Sequence, residues 1–198
     1  MTNERKALLV VSFGTSHAET REKTIGAIEK DIAEAYPEYE IRRAFTSGMI
    51  LRVLQNRDGI HIDNVAEAMS RLVSDGFREV LVQPTHVIPG DEYDGMAADV
   101  LMFEEKFDKI TIGAPLLFDT EDYRKVIGAV MDQFPELSEE EALVLMGHGT
   151  EHPINAAYPA LDYQFKDMGF RNVFVGTVEG FPEIDTVLKN VKAYGAKK

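Results

Sequence analysis

An eleven-residue segment is written twice in this chain, and it constrains the fold more than any other feature. ALLVVSFGTSH at 7–17 aligns without a gap on ALVLMGHGTEH at 142–152, so equivalent residues lie 135 positions apart. A second pair, GFREVLV at 76–82 and GFRNVFV at 169–175, shares its entry and its apolar rhythm. Short continuous apolar runs suit strands buried on both faces of a parallel sheet, and such strands resemble one another by composition alone. The common Gly-Thr-x-His tail and Gly-Phe-Arg entry go beyond composition. They predict two half-molecules of similar design, an N-terminal half over 1–135 and the start of a C-terminal half over 136–198.

The rest of the chain reads as α/β. Strands are expected at 7–12, 40–45, 79–83, 109–113, 142–146 and 172–176. Helical periodicity fills the intervals at 19–35, 47–55, 64–73, 91–107, 122–134, 158–168 and 183–194. Strands that alternate with helices predict layered α/β structure with a mostly parallel sheet. Asn64 is placed to cap its helix, with Gly76 beyond the end. Carried through both matched pairs, the repeat equates Phe13 with His148 and His86 with Glu179. It also predicts that Lys197 and Lys198 enter a strand equivalent to the one at 109–113. Two or three further elements would then complete the second half after Lys198.

Composition narrows the function classes. The chain holds 21 Lys and Arg against 34 Asp and Glu in 198 residues, a net charge of −13. That balance argues against a nucleic-acid binder, which needs a basic face. No apolar run approaches the roughly 18 residues that cross a bilayer. The apolar stretch near the start is too short for a signal peptide and runs into Gly14 and Thr15, which points to a cytoplasmic protein. There is no cysteine, so disulfides, thiolate metal sites and cysteine nucleophiles are out, and any metal must be held by histidine and carboxylate.

In α/β sheets ligands bind beyond the carboxyl ends of the strands. Four segments place polar groups there: SFGTS at 12–16, THVIPGDEY at 85–93, GHGT at 147–150 and TVEG at 177–180. His148 stands between two glycines at a strand mouth, where an imidazole can bind a divalent ion or accept a proton. Glu179, flanked by Gly176 and Gly180, can complete a metal site or take protons; as a bland alternative it caps a helix. Glu92 opens a helix in which Asp91 and Asp94 are explained by the helix dipole. His86 sits in a proline-bounded loop on the same rim. His17 and His152 follow Gly-Thr turns and read as local turn partners, and His61 as a solvated loop residue. Arg42, Arg43 and Arg52 are either a local anion site near the second strand or surface charges. The chain lacks a Gly-x-Gly-x-x-Gly loop, a Walker A loop and a Gly-x-Ser-x-Gly elbow. GHGT has Gly147 where histidine phosphatases place an arginine.

Taken together, SFGTS (12–16), QPTHVIPGDEYD (83–94), MGHGT (146–150) and VGTVEGFP (175–182) resemble the anaerobic-type sirohydrochlorin cobaltochelatases, class II chelatases related in fold to ferrochelatase. The resemblance runs along essentially the whole chain. It implies two chelatase-like α/β domains with parallel sheets flanked by helices, facing a cleft. It implies ATP-independent insertion of Co2+, with Ni2+ or Fe2+ as possible alternatives, into sirohydrochlorin or precorrin-2 on the way to cobalamin. No organic cofactor, no nucleic acid and no membrane are implied, and a homo-oligomer is expected. Carried over by position, His148 is a metal ligand and the base that removes pyrrole protons. Glu179 is a second metal ligand. Glu92 is an acidic group of the cleft, assisting metal delivery or proton removal. Ser12, Phe13, Gly14, Thr15, His86 and Tyr93 line the tetrapyrrole site. A further family histidine would lie after Lys198. Because the substrate is a polycarboxylate, a local basic patch is expected despite the acidic total. Two other classes stay open on the residues alone: a non-catalytic metal or tetrapyrrole carrier of the same fold, and a different α/β hydrolase or mutase using His148.

Overall fold

Six strands alternate with helices in the computed structural model, which describes residues 5–198; residues 1–4, part of the stretch read above as lacking a signal pattern, lie outside it. The chain divides into two compact units, Met1–Pro115 and Leu116–Lys198. In the first, β1 (Lys6–Ser12), β2 (Glu40–Phe45), β3 (Glu79–Pro84) and β4 (Lys109–Ile112) form one parallel sheet in the order β2-β1-β3-β4. Helices α1 (Ala18–Arg21), α2 (Ala27–Ala35), α3 (Gly48–Val53), α4 (Val65–Ser74) and α5 (Asp91–Leu101) complete it; a π-helical turn, Glu22–Gly26, joins α1 to α2, and another, Leu54–Asp58, extends α3.

The continuous apolar run of β1 is explained by burial on both faces. Ala7, Leu9 and Val11 pack with Val80 and Val82 of β3, with Val65, Ala68, Met69 and Leu72 of α4, and with Met96 and Val100 of α5. Leu8 and Val10, pointing the other way, are equally buried. Each such side chain contributes about 1.5–3 kcal/mol of burial. Asn64 caps α4 in a reciprocal capping box with Glu67, as its position predicts. The helix expected over 91–107 stops at Leu101. Phe107 turns into the core and Phe103 packs against it, so the apolar spacing there reflects core-directed turns and not a continued helix.

The second unit holds α6 (Thr120–Asp132), β5 (Leu143–Gly147), α7 (Ala157–Asp167), β6 (Val173–Thr177) and α8 (Ile184–Tyr194). Asp119 caps α6 in a second capping box with Asp122. β5 and β6 pair in parallel, Leu143 opposite Val173 and Gly147 opposite Thr177. Phe165, Val173, Val175, Val187 and Ile127 are buried here. The outer edge of β6 is blocked by α7: the Asp162 carboxylate accepts from the Val175 N–H at 2.8 Å, and the Lys166 ammonium donates to the Val173 carbonyl at 2.5 Å. Such cover prevents edge-to-edge pairing.

The long repeat is repeated in backbone detail. Gly14 and Gly149 both have positive φ, 98° and 85°. In each following turn a threonine hydroxyl accepts from a histidine N–H, Thr15 from His17 at 3.3 Å and Thr150 from His152 at 3.0 Å. The second matched pair does not carry over. Successive residues of a strand aim their backbone groups at opposite edges. The Ser12 carbonyl accepts from Thr46, just beyond β2, whereas that of Val11 accepts from Thr85, just beyond β3. Gly147, the equivalent of Ser12, accepts from Val178, just beyond β6. Therefore β6 occupies the place of β2. The Glu179 N–H donates to the His148 carbonyl at 2.7 Å, as that of Ser47 donates to Phe13 at 3.2 Å. Glu179 is thus the counterpart of Ser47, and the pairing of His86 with Glu179 is corrected. Gly-Phe-Arg marks a helix-to-strand entry, which recurs at different sheet positions. The expected strand entry at 197–198 differs likewise. The Ala142 N–H donates to the Lys198 carbonyl at 2.9 Å and the Lys197 N–H to that of Glu140 at 2.7 Å. These residues lie on the β5 edge away from β6, the side that β3 takes in the first unit.

Candidate functional site

His148 and Glu179 leave the carboxyl ends of neighbouring parallel strands, so the sheet itself brings them together. The His148 Nε2 lies 3.6 Å from a Glu179 carboxylate oxygen, and both side chains are about three-quarters exposed, 77% and 73%. Two donors on one ion, at bonds of about 2.1 Å, stand roughly 3.0–3.5 Å apart. The observed spacing is close to that, and exposure leaves both groups open to an incoming ion. Imidazole with carboxylate is a borderline donor set that suits first-row divalent ions and releases them more readily than thiolates would.

The two loops are tied by more than the Glu179–His148 backbone bond. A side chain added at Gly149 would place its Cβ 2.2 Å from the Glu179 carbonyl oxygen, so only glycine permits this approach. The buried Thr177 donates its hydroxyl and its N–H to the Pro182 carbonyl, at 3.1 and 2.8 Å. Asn155 spans both loops. Its Oδ1 accepts from the Thr150 N–H at 3.2 Å, and its Nδ2 donates to the Phe181 carbonyl at 2.8 Å. Asn155 belongs to no motif recognised above. The signal that could have found it is negative: its counterpart 135 residues earlier is Thr20, so the repeat breaks there.

The remaining candidates sit in the first unit. Ser12 is buried, and its hydroxyl accepts from that of Thr85 at 2.8 Å. Phe13 is exposed at the next position. The Thr15 carbonyl accepts from Arg21 at 3.3 Å. Glu92 is exposed in the first turn of α5 and, with Phe45, Thr46, Asp91, Met96 and Asp99, lines a cavity of about 270 Å³. Tyr93 packs against the main core. Both ring nitrogens of His86 are buried without a hydrogen-bond partner among the described residues. Native structures rarely leave such groups unpaired, so His86 stands out among the rim residues. Phe13, Val87, Met146, Val178 and Phe181 are exposed apolar residues on the strand-end segments of their respective units.

Burial pushes the His86 imidazole below its ordinary pKa, and the Glu92 carboxylate opposes this. The fold therefore favours neutral His86, while the unfolded chain binds the extra proton near pH 6.5. This contribution to stability is present above that pH and is lost as pH falls through it towards the folded value. A His86→Phe variant is expected to lose less of its urea-unfolding midpoint between pH 7 and pH 5 than the parent. Parallel declines would overturn the assignment.

Other polar residues have structural roles. Arg43 makes a bidentate pair with Glu29 of α2, and Arg42 bonds Glu40 at 2.5 Å and Asp75 at 2.9 Å. These two arginines are committed to carboxylates, so the anion site considered near β2 is not formed by them. His61 bonds Asp63 at 2.9 Å and stands near Glu67. Both Asp63 oxygens are also engaged by Arg71, whose fixed positive charge opposes a cation there. The His152 Nδ1 accepts from the Ile154 N–H at 3.1 Å, the local turn role expected of it.

Comparison with known proteins bears on the whole chain. The chain is 42% identical over 191 residues to the sirohydrochlorin cobaltochelatase of Salmonella typhimurium strain LT2, a match covering 96% of this chain and 72% of that protein. It is 31% identical over 196 residues to the sirohydrochlorin cobaltochelatase CbiKC of Nitratidesulfovibrio vulgaris strain Hildenborough, covering 98% of this chain and 68% of that one. A solved glycosyl transferase family 9 structure from Veillonella parvula covers 93% of this chain and 67% of its own at 12% identity and a TM-score of 0.31, too loose to bear on the fold. The family model described as cobalt chelatase (CbiK) matches residues 6–198, and the chain belongs to that family.

Proposed function

We propose that this chain is a metal chelatase that inserts Co2+ into sirohydrochlorin, or its precorrin-2 form, without ATP. One observation carries the reading: an exposed imidazole and an exposed carboxylate, 3.6 Å apart at adjacent strand ends, in a chain of the cobalt chelatase family. The reaction exchanges two pyrrole N–H protons for one divalent ion. His148 and Glu179 hold the incoming ion, and the His148 imidazole accepts ring protons as the metal passes to the four nitrogens. Glu92 is, by the family resemblance, an acidic group that assists metal delivery or proton removal. His86, with its unpartnered ring nitrogens, contacts the tetrapyrrole together with Phe13, Gly14, Thr15 and Tyr93. Ser12 shapes that turn from within through Thr85.

Nitrogen and oxygen donors bind Ni2+ at least as well as Co2+, so Ni2+ and, more weakly, Fe2+ are expected competitors, and supply sets the choice. The acidic balance supports a protein that does not bind nucleic acid. No helix among the described residues is long and apolar enough to cross a membrane. Self-association, on the family resemblance, and a cytoplasmic location complete the reading. The test is direct: mix the protein with sirohydrochlorin and Co2+ and follow the tetrapyrrole absorbance. A metallated spectrum that forms faster than in protein-free solution is expected. Ring binding without metallation would leave a carrier of the same fold as the correct reading.

A further inference from the structure

We infer that Asn155 is a positioning residue, an amide strap that holds the His148 and Glu179 loops at metal-binding separation; this rests on the reading of those two residues as metal ligands. Asn155 lies in the short 3-10 turn Pro153–Ala156, between the His148 loop and α7. One end of its amide accepts from Thr150, two residues after His148, and the other donates to Phe181, two residues after Glu179. A single planar group therefore fixes the distance between the segments that follow both ligands. The fit is close: a Cβ at Gly180 would lie 2.6 Å from the Asn155 Oδ1 and 3.4 Å from the Gly149 Cα.

The first unit supplies an internal comparison. There the same backbone ladder links Phe13 to Ser47, and neither residue pairs a metal-binding group with the other. The counterpart of Asn155 is Thr20, a residue of α1 with no amide to offer, and Ser47 instead caps α3 through its hydroxyl. The strap thus accompanies the ligand pair and not the repeat. Both ligand side chains are mostly exposed, so packing does little to hold them; the loops beneath must do so.

The experiment is a Co2+ titration of the full chain, read by the visible absorption of bound cobalt and paired with thermal unfolding. Asn155→Ala is expected to weaken Co2+ binding about ten-fold, the scale of one or two neutral hydrogen bonds, while excess Co2+ restores the insertion rate. Asn155→Asp keeps the acceptor for Thr150 and loses the donor to Phe181, and a smaller weakening is expected. In a Glu179→Ala background, Asn155→Ala should weaken binding no further, because its effect passes through the pair. Wild-type affinity in Asn155→Ala overturns the inference, as does an equal loss in both backgrounds. Should Asn155→Ala fail to fold, Asn155→Asp decides: weakening supports the strap and unchanged affinity overturns it. If Glu179→Ala and His148→Ala each bind Co2+ like the parent, the ligand assignment itself falls, and the strap with it. If those two weaken binding and the Asn155 variants do not, the strap alone falls.

Discussion

His148→Ala is expected to lower the rate of cobalt insertion at least about 100-fold, the lower end of what a positioned general base contributes, and to weaken Co2+ binding. Its effect on stability should be slight. The imidazole is 77% exposed, so its removal leaves no cavity, and surface changes of this kind usually stay within about 0.5 kcal/mol. The backbone bond from the Glu179 N–H to the His148 carbonyl does not depend on the side chain, so the loop keeps its course. Initial rates of tetrapyrrole metallation and the unfolding midpoint, measured on one preparation, separate the two effects. A variant that kept full insertion activity would remove His148 from the mechanism.

Gly149→Ala is expected to damage fold and site together. A left-handed backbone at φ 85° costs an alanine about 1–2 kcal/mol, before any clash. The new Cβ would stand 2.2 Å from the Glu179 carbonyl oxygen and 3.0 Å from the Thr177 Cβ. Thr177 is fully buried and has no room to retreat, so the Glu179 loop must shift. Loss of the ligand spacing follows, with Co2+ affinity falling beyond what the stability loss explains. Gly59→Ala is the control: its φ is 67°, yet nothing lies within 4 Å of the added Cβ. It should show the backbone cost in urea unfolding and leave Co2+ titration unchanged. Equal Co2+ affinity in the two variants would refute the close-approach argument.

Much of the fold was legible because it is local. The apolar run of β1 marked a strand to within a residue, since burial on both faces forbids polar interruptions; β2 and β3 were placed as closely, although Arg42 and Arg43 interrupt β2 and β3 alternates between buried and half-buried positions. The Asn64 cap was legible because capping chemistry spans only a few residues. Less legible were the features set by distant partners. The end of α5 depended on Phe107 reaching the core. Arg42 and Arg43 could be read as an anion site only while Glu29, Glu40 and Asp75 were unplaced. His86 stood out as a rim residue, but its orphaned nitrogens are a property of what surrounds it.

The candidate site divides along the same line. The α/β alternation, the Gly-Thr turn after each matched strand, the identity of His148 and Glu179 as strand-end groups, and the family could all be read from the residues in order. Local periodicity, turn chemistry and residue type are enough for these. Folding settled which edge of β5 receives β6, hence that Glu179 is the counterpart of Ser47 and stands next to His148. It also decided that Asn155 bridges the two loops. The physical reason is that a strand presents hydrogen-bonding groups at both edges with the same apolar pattern, so the choice of neighbour is made by long-range pairing and packing that no local run of residues encodes.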